Sequence, residues 1–416
     1  MSAVTVDLPR FDPGAQRLFD HPYEVFAEYR KADPVHWGVA SMRNLDGSWY
    51  LFRYEENAEV LSNAEIFAND PATAGHESSV PEVFRPIATV FQRWLGGRDG
   101  FDHKRLRSVL AKAFTPRRIA ALRPRVEEIT NSLIETAVER GAGTFDIVQD
   151  LSFPLPMSVV GDALGVRRED WHLFQNWAGD IAIALDKTSD PQAAASGATA
   201  MRGMVDYVQE LVARRRVEPK DDLLSAMVTE ADDEGTAMSE LDVIAIATEL
   251  GFAGHETLTN GIGKAVLGMM EQRDRWVELG TLTGDALDKA IDELLRWTSP
   301  VQKQRWRWAT ADTVLGDRKI KHGQSVVSVL AAANRDPNHF PDPDRIDFQR
   351  TSGRHMTFGL GNHFCIGSQL ARFEMRSALG SLATRFPNLR LTVDPKDIHW
   401  KHDFALPGPE TVPVAI

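Results

Sequence analysis

Apolar and polar positions divide the 416-residue chain into a long helical middle and β-prone ends. Near the N-terminus, PVHWGV (34–39) and SWYLFRY (48–54) are rich in β-branched and aromatic residues. The turn-forming NLDG lies between them, and together they predict a hairpin. From about 102 to 300 the apolar residues recur at helical spacing. In VEEITNSLIETAVERG, Ile129, Leu133 and Ala137 follow at steps of four, and Gly141 ends the run. The stretches 187–200 (KTSDPQAAASGATA) and 229–238 (TEADDEGTAM) read as flexible connections. Neither marks a domain boundary, because helical spacing resumes directly after each. Beyond Pro300, the short runs TVLG and SVVSVL alternate with Pro/Asp/Gly turns, and LRLTVDPKDIHW with VPVAI predicts a closing hairpin. The expected architecture is a single domain over 1–416, mainly α with a smaller β-rich region. The β-rich part comes from about 35–55, 305–330 and 388–416, and the helical part from about 102–300 and 366–386.

The most apolar segment begins at Ser239, with Asp242 three residues later, a capping-box spacing. The helix that follows is expected to run about thirty residues, roughly 45 Å at the α-helical rise. It is apolar on nearly every side, so it should cross the middle of the protein. Gly251 and Gly254 each cost such a helix about 1 kcal/mol relative to Ala, and the ionisable Glu256 stands beside Thr257 inside the apolar run. Two readings follow. One is a tight helix crossing at the glycines. The other is a groove where a small ligand meets bare backbone and an acid–alcohol pair passes protons.

Composition narrows the choices. The net charge of −12 argues against a nucleic-acid binder. One cysteine rules out an internal disulfide, a four-cysteine metal site and covalent haem attachment through C-x-x-C-H. The N-terminal MSAVTVDLPRFDP lacks the apolar run of a signal or anchor. Residues 243–270 are interrupted by Glu249, His255, Glu256 and Lys264, a poor membrane span. A cytoplasmic protein without a membrane or nucleic-acid partner is expected.

The lone Cys365 lies in FGLGNHFCIG (358–367), followed by a helical pattern in which Ala371, Met375, Ala378 and Leu382 share a face. A sulfur just ahead of a helix N-terminus meets exposed N–H groups and a dipole that favours thiolate. Gly359, Gly361 and Gly367 let the loop approach something bulky. Four readings stay open on these residues alone. They are a small buried hydrophobe, a zinc ligand with His355 and His363, a nucleophile with a histidine base, and an axial thiolate to a large planar metallocofactor.

At this point the sequence resembles the cytochrome P-450 superfamily, the haem-thiolate monooxygenases, over most of the chain. FGLGNHFCIG matches the family's F-G-x-G-x-H-x-C-x-G. AGHET (253–257) resembles its [AG]-G-x-[DE]-T groove, ELLR (293–296) its E-x-x-R, HKRLR (103–107) its H-x-x-x-R, and NRDPNHFPDPDRID its meander. The resemblance implies the P-450 fold, with non-covalent haem b between the long central helix and the Cys-loop helix. Cys365 would be the axial iron ligand, with Phe358, Gly359 and Gly367 around it. His103, Arg107 and His363 would meet the propionates, and Ala253 and Gly254 would form the groove. Thr257 and Glu256 would deliver protons to the oxygen chemistry. Glu293 and Arg296 would form a buried structural ion pair. SPVQKQRWRWATAD departs from the usual arginine spacing by one residue. Arg307 keeps the R-x-A frame with Ala309 and is preferred to Arg305 for a propionate.

The implied reaction inserts one atom of O2 into a medium-sized, mostly apolar substrate, with secondary-metabolite intermediates the expected class. By family position, substrate would be lined from 73–92, 177–194, 247–257, 301–304 and 404–406, with Lys303 and Gln304 available to a polar group. Nothing in the chain resembles a flavin or iron–sulfur domain, so electrons come from outside. The basic run His103, Lys104, Arg105, Arg107, Lys112, Arg117, Arg118, Arg123 and Arg125 is expected to dock an acidic ferredoxin served by an NAD(P)H-dependent reductase. Reduction would then slow steeply with salt. A haem protein of the same fold that senses or carries is the alternative.

Overall fold

The computed structural model describes residues 8–40, 46–76, 85, 87–186, 191–231, 235–351 and 353–416. Outside them lie the N-terminus read as lacking a leader (1–7), half of the NLDG turn, part of the 73–92 lining segment and of both expected connections, and 187–190 of the 177–194 lining segment. The chain divides into two compact units. One comprises 1–78, 289–365 and 400–408. The other comprises 79–288, 366–399 and 409–416.

The first unit carries the main sheet. Its strands are β1 (Val35–Gly38), β2 (Ser48–Leu51), β3 (Phe67–Ala68), β5 (Arg307–Ala309) and β8 (Ser325–Ser328). They lie in the order β1-β2-β8-β5-β3, with β4 (Thr144–Asp146) belonging to the other unit. The expected hairpin forms, with Val35 opposite Leu51 and Gly38 opposite Ser48. β2 runs parallel to β8, so both ends of the chain build one sheet. β6 (Thr313–Leu315) and β7 (Arg318–Ile320) make a small separate ribbon. Phe11, Phe26, Tyr29, Tyr50, Phe52 and Phe404 pack as one buried aromatic cluster against the sheet. Short helices at Pro22–Ala32 and Tyr54–Ser62 flank the N-terminal stretch read as β-rich (about 35–55). Their apolar stripes are too brief to stand out from the strands beside them.

The second unit is helical. The helix containing Ile129 begins at Pro116 rather than Val126. Thr115 Oγ1 accepts the Arg118 N–H, and Pro116 takes the first position, where no N–H is needed. Ala142 ends it with φ of 47°. The stretch read as a flexible connection is helical from its fifth residue, within the helix Pro191–Val217. Its alanines are strong helix formers, and Gly197 is there for packing. A Cβ on Gly197 would fall 2.2 Å from Ala184 Cβ of the preceding helix, Trp171–Asp186. The 229–238 stretch begins at the last residue of the helix Leu223–Thr229, and an isolated bridge joins Ala231 to Ala237.

The closing hairpin forms from β9 (Arg390–Leu391) and β10 (Pro413–Ala415), but β10 also pairs with β4. A three-residue strand inside the helical middle has no periodicity to betray it. No helix among the described residues is long and apolar enough to cross a membrane.

Candidate active site

The long apolar segment is two helices rather than one. Ser239 caps the first, Glu240–Ala253, accepting the Asp242 N–H at 3.1 Å and donating to the Asp242 carboxylate at 2.6 Å. Burial pushes the Asp242 carboxyl up. Ser239 and the guanidinium groups of Arg93 and Arg98 outweigh it and hold the group below the ordinary carboxylate range. The second helix, Glu256–Glu271, starts after a break at Gly254–His255. Gly254 packs closely, a Cβ there lying 3.1 Å from Val160, whereas a Cβ on Gly251 would meet Phe174 at 3.4 Å, an ordinary contact. On the other side, the regular ladder is replaced by a side-chain bond, Thr257 Oγ1 donating to the Ala253 carbonyl at 3.1 Å. Ala253 is exposed, and Gly254, Glu256 and Thr257 are half-buried, in a helix otherwise largely buried.

His255 is fully buried and anchors the break, its Nε2 lying 3.0 Å from the Phe153 carbonyl. Glu256 is held near Asn260 Nδ2, at 3.5 Å. In the same unit, His103 (buried) and Arg107 (half-buried) sit on the helix Gly100–Ala113. Glu249 accepts the N–H groups of Leu95 at 2.6 Å and Gly96 at 3.0 Å, which ties the approach to that helix onto the apolar one.

The first unit presents the thiol loop. Gly359 and Gly361 both adopt φ of 68°, a left-handed conformation that favours glycine. A Cβ on Gly361 would also lie 2.5 Å from the Leu61 carbonyl oxygen, so backbone occupies the space a side chain would need. The loop closes through Gly359 N–H to the Met356 carbonyl at 2.8 Å and Cys365 N–H to the Phe358 carbonyl at 2.9 Å. Phe358 is 8 % exposed, whereas Cys365 is exposed. His363 is half-buried at the end of the otherwise exposed turn Gly361–His363. Gly367 is the N-cap of the helix Ser368–Arg385. Its φ of −81° is open to any residue, so the loop needs two glycines for conformation rather than three. Arg307 is 2 % exposed in β5 and donates to the Phe67 carbonyl at 3.1 Å, while Arg305 lies exposed in the preceding loop. Lys303 rests its ammonium over Trp306 at 4.2 Å.

Beneath the loop in sequence order, Arg296 Nε and Nη2 engage both Glu293 oxygens at 2.7 and 2.8 Å, with both residues buried. Arg350 adds a third member, its Nε 3.1 Å from Glu293 Oε1. Asn334 joins this group to the loop. No spacing rule flags a residue that acts across 38 to 57 positions, so the sequence did not reveal the roles of Arg350 and Asn334, although Asn334 opens the NRDPNHFPDPDRID stretch.

The residues fit a large planar metal complex. The only thiol is exposed at the end of a loop whose other part, Met356 to Gly359, is buried. No group of three or more His, Cys, Asp or Glu able to hold a bare metal ion occurs among the described residues, which removes the basis of a zinc site.

A family model described as Cytochrome P450 matches residues 285–412. Cytochrome P450 107B1 of Saccharopolyspora erythraea is 37% identical over 399 residues, covering 92% of each chain. 6-Deoxyerythronolide B hydroxylase of the same organism is 34% identical over 400 residues, covering 95% of this chain and 96% of that one. The solved structure of the bacillaene polyketide synthase cytochrome P450 PksS of Bacillus subtilis superposes with a TM-score of 0.87 at 30% identity, over 97% of this chain and 99% of that one. The fold, the alignment along nearly the whole chain and the single exposed thiol agree: this chain belongs to the cytochrome P450 family and is a monooxygenase that binds haem b through a cysteine thiolate.

Proposed function

We propose that this protein hydroxylates a medium-sized, mostly apolar intermediate of secondary metabolism. In the balanced reaction, a C–H bond, O2, two electrons and two protons give an alcohol and water. The electrons would come from an acidic ferredoxin-type protein and an NAD(P)H-dependent reductase, in the cytoplasm, with residues 1–416 working as one domain. The observation that carries this reading over a sensing or carrying role is the helix break at Gly254–His255. There an alcohol, Thr257, is held on a carbonyl beside a half-buried carboxyl, Glu256.

Haem, when bound, supplies the oxygen activation and a thiolate-donated electron push. The residues of this chain do the rest. Cys365 binds the iron, and the two left-handed glycines hold its loop. Phe358 excludes water from the sulfur. His103, Arg107, His363 and Arg307 pair with propionates as donors to carboxylates. Ala253 and Gly254 leave backbone bare where a side chain would intrude. Thr257 holds a proton at Oγ1, and Glu256 passes protons inward from solvent. Lys303 stacked on Trp306 is committed to a ring contact, so the lining expected from 301–304 relies on Gln302 and Gln304 for its polarity.

The substrate class is supported by what relatives are named for, a deoxyerythronolide and a polyketide product. The test is a panel of macrolactones, linear polyketides, steroids and fatty acids screened for perturbation of the Soret band, then turnover with ferredoxin, reductase, NADH and labelled O2. One labelled oxygen in a polyketide-type product is expected. Tight binding without labelled product from any of them would favour the carrying role.

A further inference from the structure

The buried side chain of Asn334 makes three hydrogen bonds that only an amide can make together. Its Oδ1 accepts the Met356 N–H at 2.7 Å. Its Nδ2 donates to Ser299 Oγ at 2.9 Å and to Thr357 Oγ1 at 3.1 Å. Both hydroxyls have already given their protons to carbonyls, Ser299 to Arg296 and Thr357 to Leu295, each at 2.9 Å. They can therefore only accept from Asn334. The site demands two donors and one acceptor on a short side chain. The Asn334 carbonyl meanwhile accepts Arg296 Nη1 at 2.8 Å, so the residue bridges the buried ion pair and the loop.

The bonds lead onward to the thiol. Met356, fixed at its N–H, offers its carbonyl to Gly359 N–H at 2.8 Å, and Phe358, next after Thr357, takes the Cys365 N–H at 2.9 Å. Asn334, Ser299 and Thr357 are all buried, so water cannot replace a lost partner at little cost.

We propose that Asn334 is a positioning residue that fixes the Cys365 sulfur for iron ligation, acting through Met356 and Thr357. The proposal rests on Cys365 as the iron ligand. Asn334→Asp is nearly isosteric but turns both donors into acceptors facing two spent hydroxyls. Met356 keeps an acceptor, while Ser299 and Thr357 must abandon their carbonyls or stay unpaired.

The test uses haem-loaded protein and the ferrous–CO spectrum, which distinguishes thiolate from thiol ligation. Wild type should give the thiolate-type band. Asn334→Asp, with haem content retained and well below its unfolding temperature, should convert to the thiol-type band roughly tenfold faster, the factor expected when buried groups lose partners. Thr357→Val should shift the spectrum in the same direction, and Asn334→Ala with Thr357→Val should be non-additive because each removes the same Asn334–Thr357 bond, which can be lost only once. If Asn334→Asp yields no haem protein, Thr357→Val and Asn334→Ala decide the matter. A lowered melting temperature with an unchanged band and conversion rate would overturn the proposal. Cys365→Ser keeping a thiolate-type band would instead overturn the ligand assignment.

Discussion

The hydroxyl of Thr257 donates to the carbonyl of Ala253 at 3.1 Å across a break between two helices. A threonine at this spacing inside an unbroken helix would compete with a backbone donor. Here the N-cap position is His255 and the regular ladder is already open, so the alcohol takes the carbonyl over. Thr257→Ala should leave haem binding intact and cut product formation roughly 10²-fold, the scale of a lost proton-transfer group. NADH consumption should continue, with hydrogen peroxide replacing product. Thr257→Ser should restore most of the coupling. Tight coupling of NADH to product in the alanine variant would remove Thr257 from the mechanism.

Charge on the 103–125 run is largely spent inside the protein. Arg105 reaches Asp242 at 3.5 Å, Lys112 donates to the Ala231 carbonyl at 2.8 Å, Arg118 lies 3.6 Å from Glu230, and Arg125 is paired with Glu128 and Asp162. Lys104, Arg117 and Arg123 are exposed, and Arg123 shares its charge with Glu127. The expectation of a steep salt effect therefore weakens to a shallow one. Lys104→Glu with Arg117→Glu should raise the KM for a ferredoxin several-fold and leave kcat at saturation near wild type. A KM unmoved by this reversal would place the docking surface elsewhere.

The buried pair Glu293–Arg296 carries the largest predicted stability effect. Burial lowers the Arg296 pKa, and the hydrogen bond and charge of Glu293 oppose that shift. Arg296→Leu would leave Glu293 buried with Arg350 as its remaining cation and the Asp347 N–H as its backbone donor, and removing one partner of a buried pair costs about 3–5 kcal/mol. That is a large share of a typical folding free energy of about 5–15 kcal/mol. The variant should express without haem or aggregate at 37 °C, as measured by the ratio of Soret to protein absorbance. A wild-type ratio would show the pair to be dispensable.

What the sequence disclosed was what is local. Ser239 with Asp242, Gly359 and Gly361 ahead of Cys365 and the aromatic-rich strand SWYL each act within a few residues, and each takes the local form its sequence suggests. The break after Ala253 was legible as oddity, through two glycines and an acid, but not as a break. Apolar periodicity continues straight through it. The roles of Arg350 and Asn334 were invisible, because their partners lie far along the chain: DFQRTSG around Arg350 reads as an ordinary turn, and Asn334 counted only as the first residue of NRDPNHFPDPDRID. Pro191–Val217 was misread because Ser, Gly and Thr among the alanines resemble a linker until Gly197 is seen against Ala184.

Gly361 tests the loop itself. Alanine there meets a φ of 68° and the Leu61 carbonyl at 2.5 Å, so it is strained in conformation and in space. Gly361→Ala should cost more than about 1 kcal/mol, the usual penalty for a side chain forced into this region. Thermal unfolding followed by the Soret band should shift down by several degrees, with faster haem loss. Gly367→Ala, at φ of −81°, should cost much less. Equal losses in the two variants would contradict the loop geometry.

Glu374 sets a pH dependence that the chemistry does not need. It is 4 % exposed on the helix Ser368–Arg385, and its Oε2 has no hydrogen-bond partner. Burial pushes its carboxyl well above the ordinary value of 4.5. The folded form therefore holds the proton more tightly than the unfolded chain does. Its contribution to stability is complete below the unfolded pKa and is lost as pH rises through the folded one. Glu374→Gln keeps the shape and removes the titration. Relative to wild type, the variant should gain stability progressively as pH rises above about 4.5, the unfolded carboxyl range. Urea midpoints for both proteins across pH 5 to 9, with m values unchanged, would measure it. Parallel curves for the two proteins would mean that the carboxyl finds water or a partner and titrates normally.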